Sequence, residues 1–375
     1  MKNIQIYLIA AVFFIALVGI FLFQKNPRND ILIGAILPLS GNSADQGEWV
    51  KNGLDLAVAQ INQASGAKIK ILYEDSQGVP TQTISAYEKL RLENHISIVI
   101  TWGSGVGLAL TPLVNRDHVV QMGVATAADA YSTPDDFTFR NFPSASSESD
   151  FLSSVVFNQL HAKKTAVIKI NNDYGVSSAV AFKKAYEGIS GAVIAEESFE
   201  SGASDFRSQL TKVKTAHSDI IYIASYPMEG GLLLRQAKEL SITTPFIASV
   251  AIMGGKSFFD AAGGASQGLL VVSSVPVSTA SNPEVAEFVK AYSDAFSAPQ
   301  GGTQLYAARA YDALKILAVA ARACNVATDT ECIKQKLFAT KAYKGAGGSI
   351  TFDKNGDITA GFHLLKVENG SFVNY

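Results

Sequence analysis

The sequence is poor in the residues that most catalytic and metal sites require. Its 375 residues include two cysteines and five histidines. The histidines are scattered and none neighbours a cysteine, so a cysteine-based metal centre lacks further ligands. No run of like charge occurs, and the formal net charge is -2. That argues against a nucleic-acid partner, which needs a concentrated basic face. Phosphate loops and nucleophile elbows are missing too. "VAIMGGKS" ends in Gly255-Lys256-Ser257 but opens on Val250 where a glycine is required. "WGSGV" sets its glycines one residue either side of Ser104, not two. "DKNGDI" starts like a calcium loop, yet its sixth and twelfth positions are Ile358 and Leu364. The adjacent acids Glu74-Asp75 and Glu196-Glu197 fall on strand patterns, where neighbours point to opposite faces. With no triad, metal cluster, phosphate loop or dinucleotide fingerprint, an enzyme and a bound cofactor are both disfavoured.

What is present is a globular composition, 48% hydrophobic and 17% charged, long enough for two domains. Ile4 to Phe23 carries no charge and no proline. As a helix it reaches ~30 Å, the thickness of a bilayer core. The run ends in "GIFLFQKN", which has no small-x-small cleavage site, and no cysteine precedes Cys324 to form a lipobox. Residues 1–29 therefore read as an uncleaved signal-anchor with the rest of the chain outside the cytoplasmic membrane. A cleaved signal peptide with an atypical site is the competing reading. Cys324 and Cys332 flank the loop-like "NVATDTE". They suit a small disulfide in an oxidising compartment, with two free thiols as the alternative.

From Asp30 onward short apolar runs alternate with helical patterns. Strands are expected at 31–37, 69–75, 96–102 and 118–124, with helices between them. A second block begins with strand 163–170 and continues through 192–199, "SDIIYIAS", "PFIASV" and "GLLVVSSV". Helices near 283–297, 302–323 and 330–339 follow. The tail reads as a terminal hairpin turned at "DKNGD". Such alternation predicts an α/β fold of two doubly wound parallel sheets, facing one another as lobes. Ligands of such sheets sit beyond the carboxyl ends of the strands.

The turns after those strands are rich in Ser, Thr, Gly, Tyr and Trp: "TWGSGVG", "GVATAAD", "NNDYG" and "SYPMEGG". Ser104 lies between a buried strand and a helix start. Its hydroxyl, with the N–H groups of Gly105 to Gly107, is placed to hold an anion such as a carboxylate. An ordinary helix cap is the plainer reading of Ser104 taken alone. Thr126 is expected beside it. Tyr174 and Tyr226 suit a ligand wall, and Trp102 and Trp49 add apolar surface or packing.

These segments resemble periplasmic binding proteins of the branched-chain amino-acid (Leu/Ile/Val) type. The resemblance runs from Ile31 to Phe372 and is most specific in "LSG…G…NG…A", "DYG" and "DFRSQL". It implies a type I fold of two lobes joined by three crossovers, near Pro143, Val275-Pro276 and Gly345. Lobe 1 is then 31–143 and 276–345; lobe 2 is 144–275 and 346–375. It also implies hinge closure on a small solute and delivery to a membrane ABC permease. Relatives that act as sensor domains supply the alternative function. By the same resemblance the ligand contacts fall on Ser104 or Gly105, on Val124, Ala125 and Thr126, and on Tyr174 and Tyr226. Two positions depart from the pattern. The aromatic of the first loop is Gln46, with Trp49 nearby, and the acid that holds a ligand's ammonium group falls near Val250. Asp173 and Glu229, or else Glu48 or Asp45, are the candidate substitutes. Without one of them the ligand is a small carboxylate, an amide or a more apolar solute, because a buried ammonium without a carboxylate goes uncompensated.

Overall fold

Buried runs of Ile, Val and Leu that read as short strands line up as the spines of two sheets. The computed structural model describes residues 30–64, 66–275, 282–296, 302–324 and 328–375. The expected anchor at 1–29 lies outside the described residues. No helix among the described residues is long and apolar enough to cross a membrane.

The first sheet contains β1 (Ile31–Leu37), β2 (Ile69–Asp75), β3 (Ile98–Thr101), β4 (Val120–Gly123) and β5 (Thr138–Arg140). Its order is β2-β1-β3-β4-β5, and every pairing is parallel. The connections are α1 (Ala44–Ile61), α2 (Pro80–Asn94) and α3 (Ser104–Asp117), then a single turn at Asp129–Tyr131. Only one residue of β1 is not fully buried, as expected for a strand covered by helices on both faces. β5 was not foreseen; it is three residues long, too short for periodicity to register.

The chain then passes through 141–144 into α4 (Ala145–Ser154). It continues as β6 (Lys164–Ile170), α5 (Asp173–Gly188), β7 (Ala192–Phe199), α6 (Arg207–Thr215), β8 (Ile220–Ala224), α7 (Pro227–Glu239), β9 (Phe246–Ala248), α8 (Lys256–Ala262) and β10 (Leu270–Ser273). A return to the first half supplies α9 (Pro283–Ala295), α10 (Gly302–Arg322), α11 (Thr330–Phe338), β11 (Tyr343–Gly345) and β12 (Gly348–Ile350). α10 lies directly on α1: a Cβ on Gly53 would come within 2.2 Å of the Ala307 carbonyl, so only glycine permits that approach. Cys324 and Cys332 form a disulfide that ties the end of α10 to the first turn of α11, with Cα atoms 6.0 Å apart.

The chain ends in β13 (His363–Glu368) and β14 (Ser371–Asn374), which complete the second sheet in the order β14-β13-β10-β9-β8-β6-β7. Only the β10–β13 and β13–β14 pairings are antiparallel. The terminal hairpin is therefore real but turns elsewhere than expected. Its turn is Asn369-Gly370, both with positive φ (50° and 73°), the backbone that two-residue hairpin turns require. "DKNGD" makes a separate tight turn. There Asp353 Oδ1 accepts from the N–H groups of Asn355 and Asp357, at 2.8 and 3.0 Å.

A buried arginine ties the first two passages between the sheets together, and a second holds the segment that leads to the third. The Arg309 guanidinium on α10 donates to the Ser274 carbonyl at 2.6 Å, and the Arg309 backbone carbonyl accepts from the Asn141 side-chain amide at 2.7 Å, joining the first and second passages. Arg140 pairs with Asp357 through Nε–Oδ1 at 2.6 Å and Nη2–Oδ2 at 3.0 Å. The third passage was expected at Gly345. Residues 346 to 358 instead stay with the first half: the N–H groups of Ala346 and Gly347 donate to Asp312 of α10, and Asp357 bridges to Arg140. The chain thus crosses between 359 and 362.

Candidate functional site

Ser104 and the turn after β4 form one wall. Gly103, with φ 90°, precedes α3, and Ser104 is the first helical residue. Its hydroxyl, 1% exposed, accepts from the N–H groups of Ala127 and Ala128 at 3.1 and 3.2 Å. Ser104 is therefore neither an ordinary cap nor idle: it clamps the Thr126–Ala128 turn onto the start of α3. Arg140 holds the same turn from behind, donating to the Ala128 carbonyl at 2.8 Å. The Thr126 hydroxyl donates to the Gly103 carbonyl at 3.2 Å and packs against Gly107 and Gly123. Val124 is fully buried and Ala125 half-buried. The expected trio of N–H groups is reduced, because Gly107 N–H already bonds to the Gly103 carbonyl at 2.9 Å. Those of Gly105 and Val106 lie in the first turn, where a helix supplies no acceptor.

The facing wall comes from the second sheet. Tyr174, at the start of α5, is buried, bonds through its hydroxyl to Ser249 Oγ, and stacks on Tyr226 with ring centres 5.3 Å apart. Tyr226 precedes α7 because Pro227 starts that helix. Trp102, immediately after β3, meets Tyr226 across the cleft at 5.7 Å and Tyr306 of α10 at 6.5 Å. Trp49 and Phe142 flank Tyr306 at 6.1 and 6.2 Å. The result is an aromatic box assembled from both halves and from the first passage. Two polar atoms in this region are buried without a hydrogen-bond partner, Trp102 Nε1 and Gln46 Oε1. Such atoms are uncommon in folded proteins; Gln121, Ser153, Thr165, Ser218 and Arg309 each carry one as well. The open mouth of the cleft, about 370 Å³, is lined by Asn42, Asp45 and Gln46 from one half and Gly202, Ala203 and Glu229 from the other. A larger cavity of about 440 Å³ is lined by residues such as Pro245, Phe246 and Leu269, at the amino ends of β9 and β10. That is the wrong end of a parallel sheet for a ligand.

Of the acids expected near the cleft, Asp173 is exposed and lies against the first turn of α3; a Cβ on Gly105 would be 2.8 Å from its Oδ2. Glu229 is buried at the mouth of the cleft and accepts from the Gly202 N–H at 3.0 Å. Asp45 and Glu48 are exposed. The acid that does reach the box is Glu148, one turn into α4 and 4% exposed. Its Oε1 accepts from the Val250 N–H at 2.9 Å. Three consecutive residues after β9 are thus each held from a different element: Ser249 by Tyr174, Val250 by Glu148, and Ala251, through its carbonyl, by the Tyr306 hydroxyl at 3.5 Å. Burial pushes the Glu148 carboxyl up to about 7, an effect that the Val250 N–H only partly offsets. Burial likewise raises the Tyr174 and Tyr306 hydroxyls, and the Glu148 charge adds to both shifts.

The sequence pattern of the family described as periplasmic binding protein matches residues 30–371. The chain belongs to this family. The Leu/Ile/Val-binding protein BraC3 of Rhizobium johnstonii is 28% identical over 95% of this chain and 97% of its own. The Leu/Ile/Val-binding protein homolog 3 of Brucella melitensis is 26% identical over 98% of each. Among solved structures, the leucine binding protein LivK of Thermotoga maritima superposes with a TM-score of 0.86, at 25% identity over 92% of this chain and 97% of that one. The LivJ protein of Streptococcus pneumoniae, solved with isoleucine, gives 0.82 at 25% identity, over 92% of this chain and all of that one.

The chain is a periplasmic solute-binding protein, and Trp102, Tyr174 and Tyr226 meet where the carboxyl ends of its two sheets face one another. Glu148 and Tyr306 escaped the sequence reading. Both sit inside helices, Glu148 among serines and Tyr306 in an alanine-rich stretch. No strand-end position singles them out.

Proposed function

We propose that this protein is the extracytoplasmic receptor of an ABC importer, closing two lobes over a small amino acid or related carboxylate and performing no catalysis. The lobes are 31–143 with the return segment from Pro276, and 144–275 with the carboxyl-terminal strands. Residues 4–23 hold the receptor at the membrane, and closure is a shift between open and closed populations. The observation that carries this reading is the aromatic box between the two sheets, with Trp102 Nε1 and Gln46 Oε1 buried and unpartnered beside it. Ser104 and the N–H groups of Gly105, Ala125 and Thr126 receive the carboxylate end, above Val124, whose own N–H is taken by the Thr101 carbonyl at 3.0 Å. Trp102, Tyr174 and Tyr226 enclose the remainder. Binding of leucine and isoleucine by related proteins supports including both in the first trial.

The test is thermal unfolding of the chain from Arg28 onward against branched-chain and aromatic amino acids, small carboxylates and amides. A true ligand at one hundred times its dissociation constant stabilises the fold by about 2.7 kcal/mol. A panel without a single shift counts against the reading.

A further inference from the structure

We propose that the end of the first lobe where β1 begins is a docking face for an anionic lipid bilayer, with Val319 set between the headgroups and the acyl chains. The inference rests on the membrane tether proposed above and adds to it a surface of the folded chain. α10 and the segment after α11 border an apolar groove of about 240 Å³, lined by Ile316, Val319, Ala320 and Ala323 on one side and by Thr340 and Tyr343 on the other. Val319 is 65% exposed, the most exposed large hydrophobic side chain among the described residues. An apolar groove with such a side chain on its edge is the pattern of a surface that meets a partner.

Charge gives the nature of that partner. Segments 315–323 and 336–344 form the banks of the groove. They contain five cations, Lys315, Arg322, Lys336, Lys341 and Lys344, and no acid. Not one of the five enters an ion pair among the described residues. Lys315, Arg322 and Lys341 donate to neutral oxygens instead, the Tyr311 hydroxyl at 3.0 Å and the Ala67 and Phe352 carbonyls at 2.7 and 2.6 Å. Lys336 and Lys344 are exposed. Such one-sided banks attract the phosphates of anionic lipids, and the lysine stems extend the apolar surface between them. Position favours a membrane over a dissolved anion. Arg322 holds Ala67, and the next residue, Lys68, accepts from the Ile31 N–H at 2.8 Å. The groove therefore lies beside the point where the chain enters β1, with Val319 one turn back along α10 from Arg322. Phe23, the last residue of the apolar run, stands seven residues before Asp30, a reach of at most about 25 Å. So short a tether keeps the start of β1, and the cationic banks beside it, close to the bilayer surface.

The experiment places the full chain in vesicles of neutral phosphatidylcholine or of anionic phosphatidylglycerol, with brominated acyl chains as the quencher. A fluorophore is attached at Val319→Cys or, as control, at Val180→Cys, 60% exposed on α5 of the other lobe. The native cysteines do not compete for the label, being joined to each other. In phosphatidylglycerol the proposal expects quenching at position 319 at least twofold stronger than at position 180. Changing Lys336, Lys341 and Lys344 together to Gln lowers it to the level seen in phosphatidylcholine. Quenching at 319 no stronger than at 180, or equal in the two lipids, overturns the docking face; a chain that still floats with the vesicles then keeps its tether. A chain that does not float with them overturns tether and docking face together. Cross-linking of Val319→Cys between two chains in place of quenching makes a second copy the occupant and overturns the proposal as well. The comparison of the two lipids on one labelled chain decides the matter even if the triple variant misfolds.

Discussion

Glu148→Gln should stabilise the fold, and by an amount that grows with pH. The folded protein holds this carboxyl near 7, against an ordinary glutamate value of 4.5. Between those values the folded state binds more protons than the unfolded state, so stability falls as pH rises through the window. Below about 4.5 the penalty is absent; above about 7 it is complete. The rise from 4.5 to about 7 corresponds to about 3 kcal/mol. Glutamine keeps the acceptor for the Val250 N–H and cannot ionise, so it removes the penalty. Urea unfolding of native and variant chains at pH 5 and 8, without ligand, isolates this group because every other titration cancels in the difference. The variant should gain about 2–3 kcal/mol relative to the native chain between the two pH values. A difference that does not change with pH would refute the claim that Glu148 is a poorly compensated buried acid.

Three further outcomes follow from the geometry. Ser104→Ala strips the acceptor from the Ala127 and Ala128 N–H groups; chemical denaturation should show a loss of about 1–3 kcal/mol, together with weaker ligand binding. Asp357→Leu leaves the Arg140 guanidinium buried and unpaired, and should cost about 3–5 kcal/mol in the same assay. Replacing Cys324 and Cys332 by serine opens a cross-link between positions eight residues apart; the loop-entropy relation gives a cost of about 2–3 kcal/mol, visible as a lowered melting temperature with ligand affinity unchanged.

Much of the architecture is legible in the residues because buried parallel strands and amphipathic helices carry different periodicities. The strand at 192–199 and the helix at 256–262 fall where the pattern places them. The failures are local. "DKNGD" and "ENGS" are both turn-forming sequences, and only pairing partners far along the chain decide which one closes the hairpin. The third passage was misplaced because nothing near Gly345 announces that Asp312 and Arg140 retain the next dozen residues. In the cleft, Trp102, Tyr174 and Tyr226 stand out because each follows a strand, where ligands of such sheets gather. Glu148 does not. An acid in the first turn of a helix ordinarily faces water and complements the helix dipole, and only the tertiary packing of Val250 and the tyrosines shows that it is enclosed.

A small solute held between the two lobes by the aromatic box should depend on Trp102 and Tyr226 for its affinity. Titration calorimetry with leucine and isoleucine on the native chain and on the Trp102→Ala/Tyr226→Ala double variant tests it most directly. One solute should bind per native chain, with an affinity at least tenfold weaker in the variant, whose fold is checked by circular dichroism. Equal affinity in the two chains, or no binding of either amino acid to the native chain, would contradict it.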